Sequence, residues 1–400
     1  MTVEKNDKVQ KIITQFRKKG YEVKNYESQA HIWEFHIPQF NEDLTDNQDW
    51  HGFRKNFIGS SEVGCMMGLN DWRSPMALYH HKVGSIPSTF QGNESTESGR
   101  AHEDMIALLW EYYGGDDKHW FRYNRRGEKV RKCEEANYYL VNEKYPQISV
   151  SIDRKIPKGT PVLFNVGPYS MGDALPNAGP LEEKTSNFFA AKQFACGLPL
   201  NYYSQVQSQL LVMEADYGEY AMLVGGKTLE VIPIVLNEGF VVRMYQESQA
   251  FWAKIIEGRK MFQWYLDTGD EQLRTYVDSF EPSPDGTKAT KEFLMARQKG
   301  FPEEEKVLVK GEPIDYTLAK EYKFWNEMIR LCNDKKTKLS NKLRAKYADS
   351  SHVSLGGKSK ITFDKNAKIG VVVEKEDMEN FREWSESDIN KIILNRKLLK

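Results

Sequence analysis

The sequence predicts an α/β fold, and three observations predict it. Between residues 51 and 270, runs with apolar residues every three or four positions alternate with short period-two runs, as in helices and strands interleaved around a sheet. The strand-like runs are brief, such as Ser149-Val150-Ser151-Ile152 and Leu181-Glu182-Glu183-Lys184-Thr185, while helix-like runs such as Ser98 to Tyr113 are long. With 400 residues, 40% hydrophobic and 12% aromatic, the chain can bury a substantial core.

Residues 1–50 lack sustained periodicity apart from a short helix expected from Lys8 to Lys18, and they read as an N-terminal extension. Residues 51–280 carry the α/β core. The turn-rich Glu281-Pro282-Ser283-Pro284-Asp285-Gly286 marks its end, and residues 287–400 form a C-terminal accessory region. There, Leu318, Tyr322, Trp325, Ile329, Cys332, Leu339 and Leu343 follow alternating steps of four and three, interrupted by Lys336. This predicts a long helical arm with coiled-coil-like periodicity. Val353 to Phe363 predicts a β-hairpin turning at Gly356-Gly357.

Lys and Arg number 56 against 57 Asp and Glu, so any nucleic-acid footprint must be local. Phe121 to Lys132 and Arg330 to Lys346 are locally basic, which suits phosphate tracking and equally a solvated face; neither contains a pattern for reading base edges. Cys65, Cys133, Cys196 and Cys332 are far apart and form no metal-ligand spacing, which points to free thiols in a reducing compartment. The start lacks the apolar stretch of a signal peptide and no run of 18 apolar residues occurs, so an intracellular protein without a membrane partner is expected.

The chemistry concentrates on Leu181-Glu182-Glu183-Lys184-Thr185. Side chains alternate across a strand, so Glu182 and Lys184 share one face and Leu181 and Glu183 the other. A carboxylate beside an ammonium can hold a divalent cation and orient water for attack on a phosphodiester, but a solvated charge pair has the same spelling. Asp153 leaves the Ser149–Ile152 strand where it could share a cation with Glu182, or it could simply begin a turn. Glu103 shares a helical stripe with Ile106, Trp110 and Tyr113; facing the packed side, it needs a cation or a core Arg. Tyr202, Gln205 and Gln209 share the face opposite Val206 and Leu210, where amides could hold a water or phosphate oxygen, or form a polar outer surface.

The order and content of these blocks resemble the YqaJ-like viral recombinase and lambda-exonuclease family of PD-(D/E)xK nucleases. The likeness runs from Ile58-Gly59-Ser60-Ser61-Glu62-Val63-Gly64 through the Gly99–Glu103 helix start and Ser151-Ile152-Asp153. It continues through Leu181-Glu182-Glu183-Lys184-Thr185 to Tyr202-Tyr203-Ser204-Gln205-Val206-Gln207, covering about residues 54–270. The resemblance implies a restriction-endonuclease-like mixed central sheet flanked by helices. It implies Mg²⁺ or Mn²⁺ on Asp153 and Glu182, with Lys184 handling the water and Glu103 and Gln205 at the active centre. Arg54 and Ser61 match positions that engage a terminal phosphate, and Tyr202 belongs to the DNA-binding face. The implied activity is 5′ to 3′ exonuclease action on double-stranded DNA ends in phage-type recombination in the host cytoplasm, with a single-strand-annealing partner and a homo-oligomer. An endonuclease or nickase on the same fold, or a silent DNA-end-binding assembly protein, are the alternatives. One departure is the Gly- and Pro-rich segment 158–180 between Asp153 and Glu182, which reads as a loop insertion and makes Asp173 a competitor for Asp153. Glu143 reads as a surface charge or as support for a metal.

Overall fold

A computed structural model describes residues 5–41, 45, 47–86, 94–113, 129–187, 197–299, 313–347, 352–356, 359–363 and 369–372. Two compact units are present, Met1–Pro302 and Glu303–Lys400.

The first unit begins with α1 (Asp7–Lys18), capped by the Asn6 side chain, which accepts from the Lys8 and Val9 amides. Val9, Ile12, Ile13 and Phe16 lie on its buried stripe. β1 (Glu22–Asn25) and β2 (Ile32–His36) follow, then α2 (Gln48–Lys55), β3 (Ile58–Gly59), α3 (Ser60–Met66), α4 (Pro75–Val83) and α5 (Glu94–Glu111). Next come β4 (Glu134–Glu135), β5 (Tyr139–Asn142), β6 (Ile148–Ser151), β7 (Arg154–Ile156) and β8 (Gly179–Ser186). The unit closes with α6 (Leu200–Met213), β9 (Tyr217–Val224), β10 (Thr228–Val235), α7 (Glu238–Thr268), α8 (Glu271–Ser279) and α9 (Lys288–Lys299).

The mixed pairing expected of one central sheet is divided between two five-stranded sheets, ordered β1-β2-β5-β6-β3 and β10-β9-β8-β7-β4. In them β3–β6 and β8–β9 are parallel and the remaining pairs antiparallel. The chain crosses from one sheet to the other at Ile152-Asp153, between β6 and β7. There the Ser151 carbonyl accepts Gln209 Nε2 at 2.9 Å, a side-chain bond from α6 that ties the crossing to the helix.

The stretch expected as an N-terminal extension belongs to the first sheet. β2 pairs with β5, and the α1 stripe packs with Phe35, Phe53, Tyr139 and Val141. Glu143, expected at the surface or near a metal, is instead buried and accepts the Asn6 amide at 2.6 Å, Trp33 Nε1 at 2.7 Å and Gln10 Nε2 at 2.8 Å. A buried carboxylate needs such donors, and here they fasten α1 to the core.

The 158–180 segment folds down onto α5. Val162, Leu163 and Leu175 are buried with Ile106, Trp110, Tyr113 and Leu181, so the insertion completes a core cluster and is not an external loop. The turn-rich 281–286 stretch lies inside the first unit, because Glu281 bonds Arg297 from α9 at 2.8 Å and approaches His80 Nε2 of α4 to 2.9 Å.

The second unit contains the expected arm, α10 (Pro313–Lys346), and the expected hairpin as β11 (His352–Gly356) and β12 (Ser359–Phe363). A third strand, β13 (Ile369–Val372), pairs antiparallel with β12.

Candidate active site

Three elements converge on the sheet crossing. Parallel pairing with β9 and antiparallel pairing with β7 make β8 an interior strand, so its residues have little access to water. Glu182 is 1% exposed and faces α6. Its Oε1 accepts Lys184 Nζ and Gln205 Nε2, the latter at 2.6 Å, and its Oε2 accepts Gln209 Nε2 at 2.6 Å. Gln205 and Gln209 reach one carboxylate because they are one helical turn apart. On another side α6 is packed closely by α3 through Gly64, where a Cβ would meet Ser204 Oγ at 2.9 Å and Asn201 Cα at 3.0 Å.

Asp153 Oδ2 accepts the Glu183 amide at 2.7 Å and lies 3.6 Å from Lys184 Nζ. The ammonium therefore bridges the carboxylates of Asp153 and Glu182. Burial works against its charge, but Glu182 and Asp153 outweigh that and raise the Lys184 pKa above the ordinary lysine value, so it is held protonated. Burial and then Asp153 push Glu182 up to about 7 against the pull of Lys184. Glu103 on α5 is also raised, first by burial and then by Asp153. Tyr202 is raised by burial with Lys184 and Glu182 beside it, and its ring lies 6.4 Å from that of Trp72, which is 71% exposed.

Glu183 faces the other way, as strand alternation requires. Its two carboxyl oxygens are buried with no hydrogen-bond partner, and burial followed by Asp153 pushes its pKa up to about 9. Asp153 thus stands between carboxyls on both faces of β8, and Glu103, Glu182 and Glu183 are each raised by burial and then by its charge. Oxygen donors in electrostatic need of a cation fit a hard divalent ion such as Mg²⁺ or Mn²⁺. Asp173, the competing ligand candidate, is exposed in a turn and accepts the Ser170 amide at 2.7 Å.

Among the described residues, one trio of metal-ligand side chains brings its ligand atoms within 4.8 Å of one another: His80, Asp278 and Glu281. Arg297 already neutralises Glu281, and the His80 ring is bonded on both sides, to Ser85 Oγ at 2.8 Å and Glu281 at 2.9 Å. This cluster reads as a hydrogen-bonded link between α4 and the segment after α8. Asp153, Glu182 and Glu103 do not reach that spacing in their present rotamers.

Ser60 Oγ, at the head of α3, is 3.5 Å from the Ser151 carbonyl, and Ser61 is exposed beside it. The Arg54 guanidinium stands over the Trp50 ring at 4.7 Å. Beneath them is a buried pair that sequence reasoning missed: Lys82 Nζ donates to Glu62 Oε2 at 2.6 Å and to the Arg54 carbonyl at 2.8 Å. Glu62 also accepts the Gly59 amide at 2.9 Å. Burial opposes its charge, but Lys82, Arg54 and Arg73 hold Glu62 down at about 2. Gln209 was equally absent from the expected catalytic set, although its four-residue spacing from Gln205 was a visible signal.

Residues 49–216, which contain Arg54, Ser61, Glu103, Asp153, Glu182, Lys184, Gln205 and Gln209, match the YqaJ-like viral recombinase domain. The uncharacterised protein YqaJ of Bacillus subtilis (strain 168) is 24% identical to this chain over 317 residues, covering 77% of this chain and 80% of that protein. Two solved structures are also similar. The alkaline exonuclease LHK-Exo from Laribacter hongkongensis has a TM-score of 0.39 at 13% identity, over 56% of this chain and all of that one. A phage-related exonuclease from Haemophilus somnus 129PT has a TM-score of 0.33 at 10% identity, over 50% of this chain and 95% of its own.

Of the basic runs, Phe121 to Glu128 lies outside the described residues. Arg131 is buried, paired with Glu219 at 2.8 Å and 3.6 Å over the Trp110 ring, so it serves the core and not phosphate tracking. Lys129 pairs with Glu111.

Proposed function

We propose that this protein is a metal-dependent DNA exonuclease that degrades linear duplex DNA from its 5′ ends in phage-type recombination, alongside a single-strand-annealing protein. The observation that carries the reading is the Lys184 ammonium held between Asp153 and Glu182 at the sheet crossing, with two α6 amides on Glu182. Asp153 and Glu182 would hold Mg²⁺ or Mn²⁺, with Glu103 assisting. When bound, the ion supplies positive charge that polarises the phosphodiester and stabilises the leaving oxygen.

The side chains divide the remaining work. Lys184, kept protonated, orients the attacking water and stabilises developing negative charge; it does not abstract the proton. Gln205 and Gln209 fix the rotamer of Glu182 without cancelling a metal's charge. Arg54 and Ser61 receive the terminal phosphate through a guanidinium fork and a hydroxyl. Tyr202 and exposed Trp72 offer ring faces to the bases of a frayed end.

The test is a linear duplex labelled separately at its 5′ and 3′ termini, incubated with and without Mg²⁺ or Mn²⁺, beside a covalently closed circle. Mononucleotide release from the 5′ label, dependent on the ion and absent on the circle, is expected. Cutting of the circle would replace the exonuclease reading with an endonuclease one, and inertness on every substrate would end both.

A further inference from the structure

We propose that α10 joins two copies of this chain through an antiparallel coiled coil. The inference is independent of the nuclease reading. It starts from a mismatch between periodicity and burial on this 34-residue helix, of which Met328 is a buried residue. Leu318, Tyr322, Trp325, Ile329 and Leu339 form its regular stripe, yet they are between 48% and 73% exposed. Burial falls on a different line, through Phe324, Glu327, Met328 and Leu331, so the regular stripe is a second apolar face left open.

The stripe is a true heptad. Tyr322, Ile329, Lys336 and Leu343 are spaced by seven, and so are Leu318, Trp325, Cys332 and Leu339, the two rows alternating as a and d positions. Charge selects both the occupant and its direction. Residues 313–329 carry three acids and two bases, whereas residues 330–346 carry seven bases and one acid. Parallel copies would align the two basic halves and set Lys336 against Lys336. Antiparallel copies set each basic half against the more acidic one.

With the two-fold axis between residues 330 and 331, every layer then has a suitable partner. Leu318 meets Leu343 of the second copy, Tyr322 meets Leu339, and Ile329 meets Cys332. Lys336 meets the Trp325 ring, so the one charged core position becomes a cation–π contact. At the flanking g positions Glu321 faces Lys342, twice by symmetry. The paired span, Leu318 to Leu343, is roughly 38 Å at about 1.5 Å per residue.

Sedimentation equilibrium of the full chain, with Trp325→Glu and Leu339→Glu beside the parent, tests the pairing. Each substitution is expected to weaken the association by at least about 30-fold, as for central aromatic and apolar anchors. Direction is read by mild oxidation. Ile329→Cys should form an interchain disulfide that disappears when Cys332→Ser is added, whereas the parent should not cross-link through Cys332 alone. A monomeric chain at tens of micromolar, an assembly untouched by both Glu substitutions, or parent cross-linking through Cys332 would each overturn the proposal.

Discussion

Replacing Lys82 by Met should reveal that the buried Glu62–Lys82 pair contributes almost nothing net to stability and yet cannot lose either member. The carboxyl of Glu62, moved from 4.5 to about 2, gains about 3 kcal/mol above pH 4.5. The Lys82 ammonium, moved from 10.5 to about 8 chiefly by burial, costs about 3 kcal/mol below pH 8. The two contributions oppose each other at pH 7, as expected of a buried ion pair whose desolvation offsets much of its attraction. Removing the lysine takes away the closest cation of a buried carboxylate, leaving the Gly59 amide, Arg73 at 3.4 Å and the field of Arg54, and should cost about 3–5 kcal/mol. Glu62→Gln alone should also destabilise, whereas the double variant should recover to within about 1 kcal/mol of the parent. The assay is urea denaturation of all four proteins at pH 7, read as a double-mutant cycle. Both groups bind more protons unfolded than folded, Glu62 between pH 2 and 4.5 and Lys82 between pH 8 and 10.5, so stability rises with pH in each window. Lys82→Met should lack the alkaline rise. Single effects that add to within about 0.5 kcal/mol, or an alkaline rise that survives the substitution, would refute the reasoning.

Asp153→Asn should lower cleavage by on the order of 10²-fold or more and weaken divalent-ion binding measured by calorimetry, while DNA binding persists; Asp173→Asn, in an exposed turn, should be nearly neutral, and the reverse pattern would exchange their roles. Arg54→Ala should reduce the rate on 5′-phosphorylated ends more than on 5′-hydroxyl ends, and equal losses would remove it from the phosphate site. Gly64→Val should destabilise the fold by about 1–3 kcal/mol, measured by urea denaturation, because the added atoms press on Asn201 Cα and Ser204 Oγ. Its activity should fall further than its stability, since α6 carries Gln205 and Gln209.

Local spacing by itself determined which residues would share a face. Alternation put Glu182 and Lys184 together and turned Glu183 away, the α5 stripe buried Ile106, Trp110 and Tyr113, and steps of four and three marked the α10 heptad. These follow from the fixed periods of strand and helix, which a sequence displays directly. Which face meets which is set by contacts between distant residues, and only the tertiary structure decided those. Gln209 reaches Ser151 across 58 residues, Glu143 holds Asn6 across 137, and Lys82 closes on Glu62 and the Arg54 carbonyl from a different helix. The division of the expected single sheet at Asp153, the folding of segment 158–180 onto α5, the inclusion of residues 22–25 and 32–36 in the first sheet and the packing of α1 against it belong to the same category. A carboxylate or amide looks identical in sequence whether water or a distant donor satisfies it; burial, which depends on the whole chain, makes the difference.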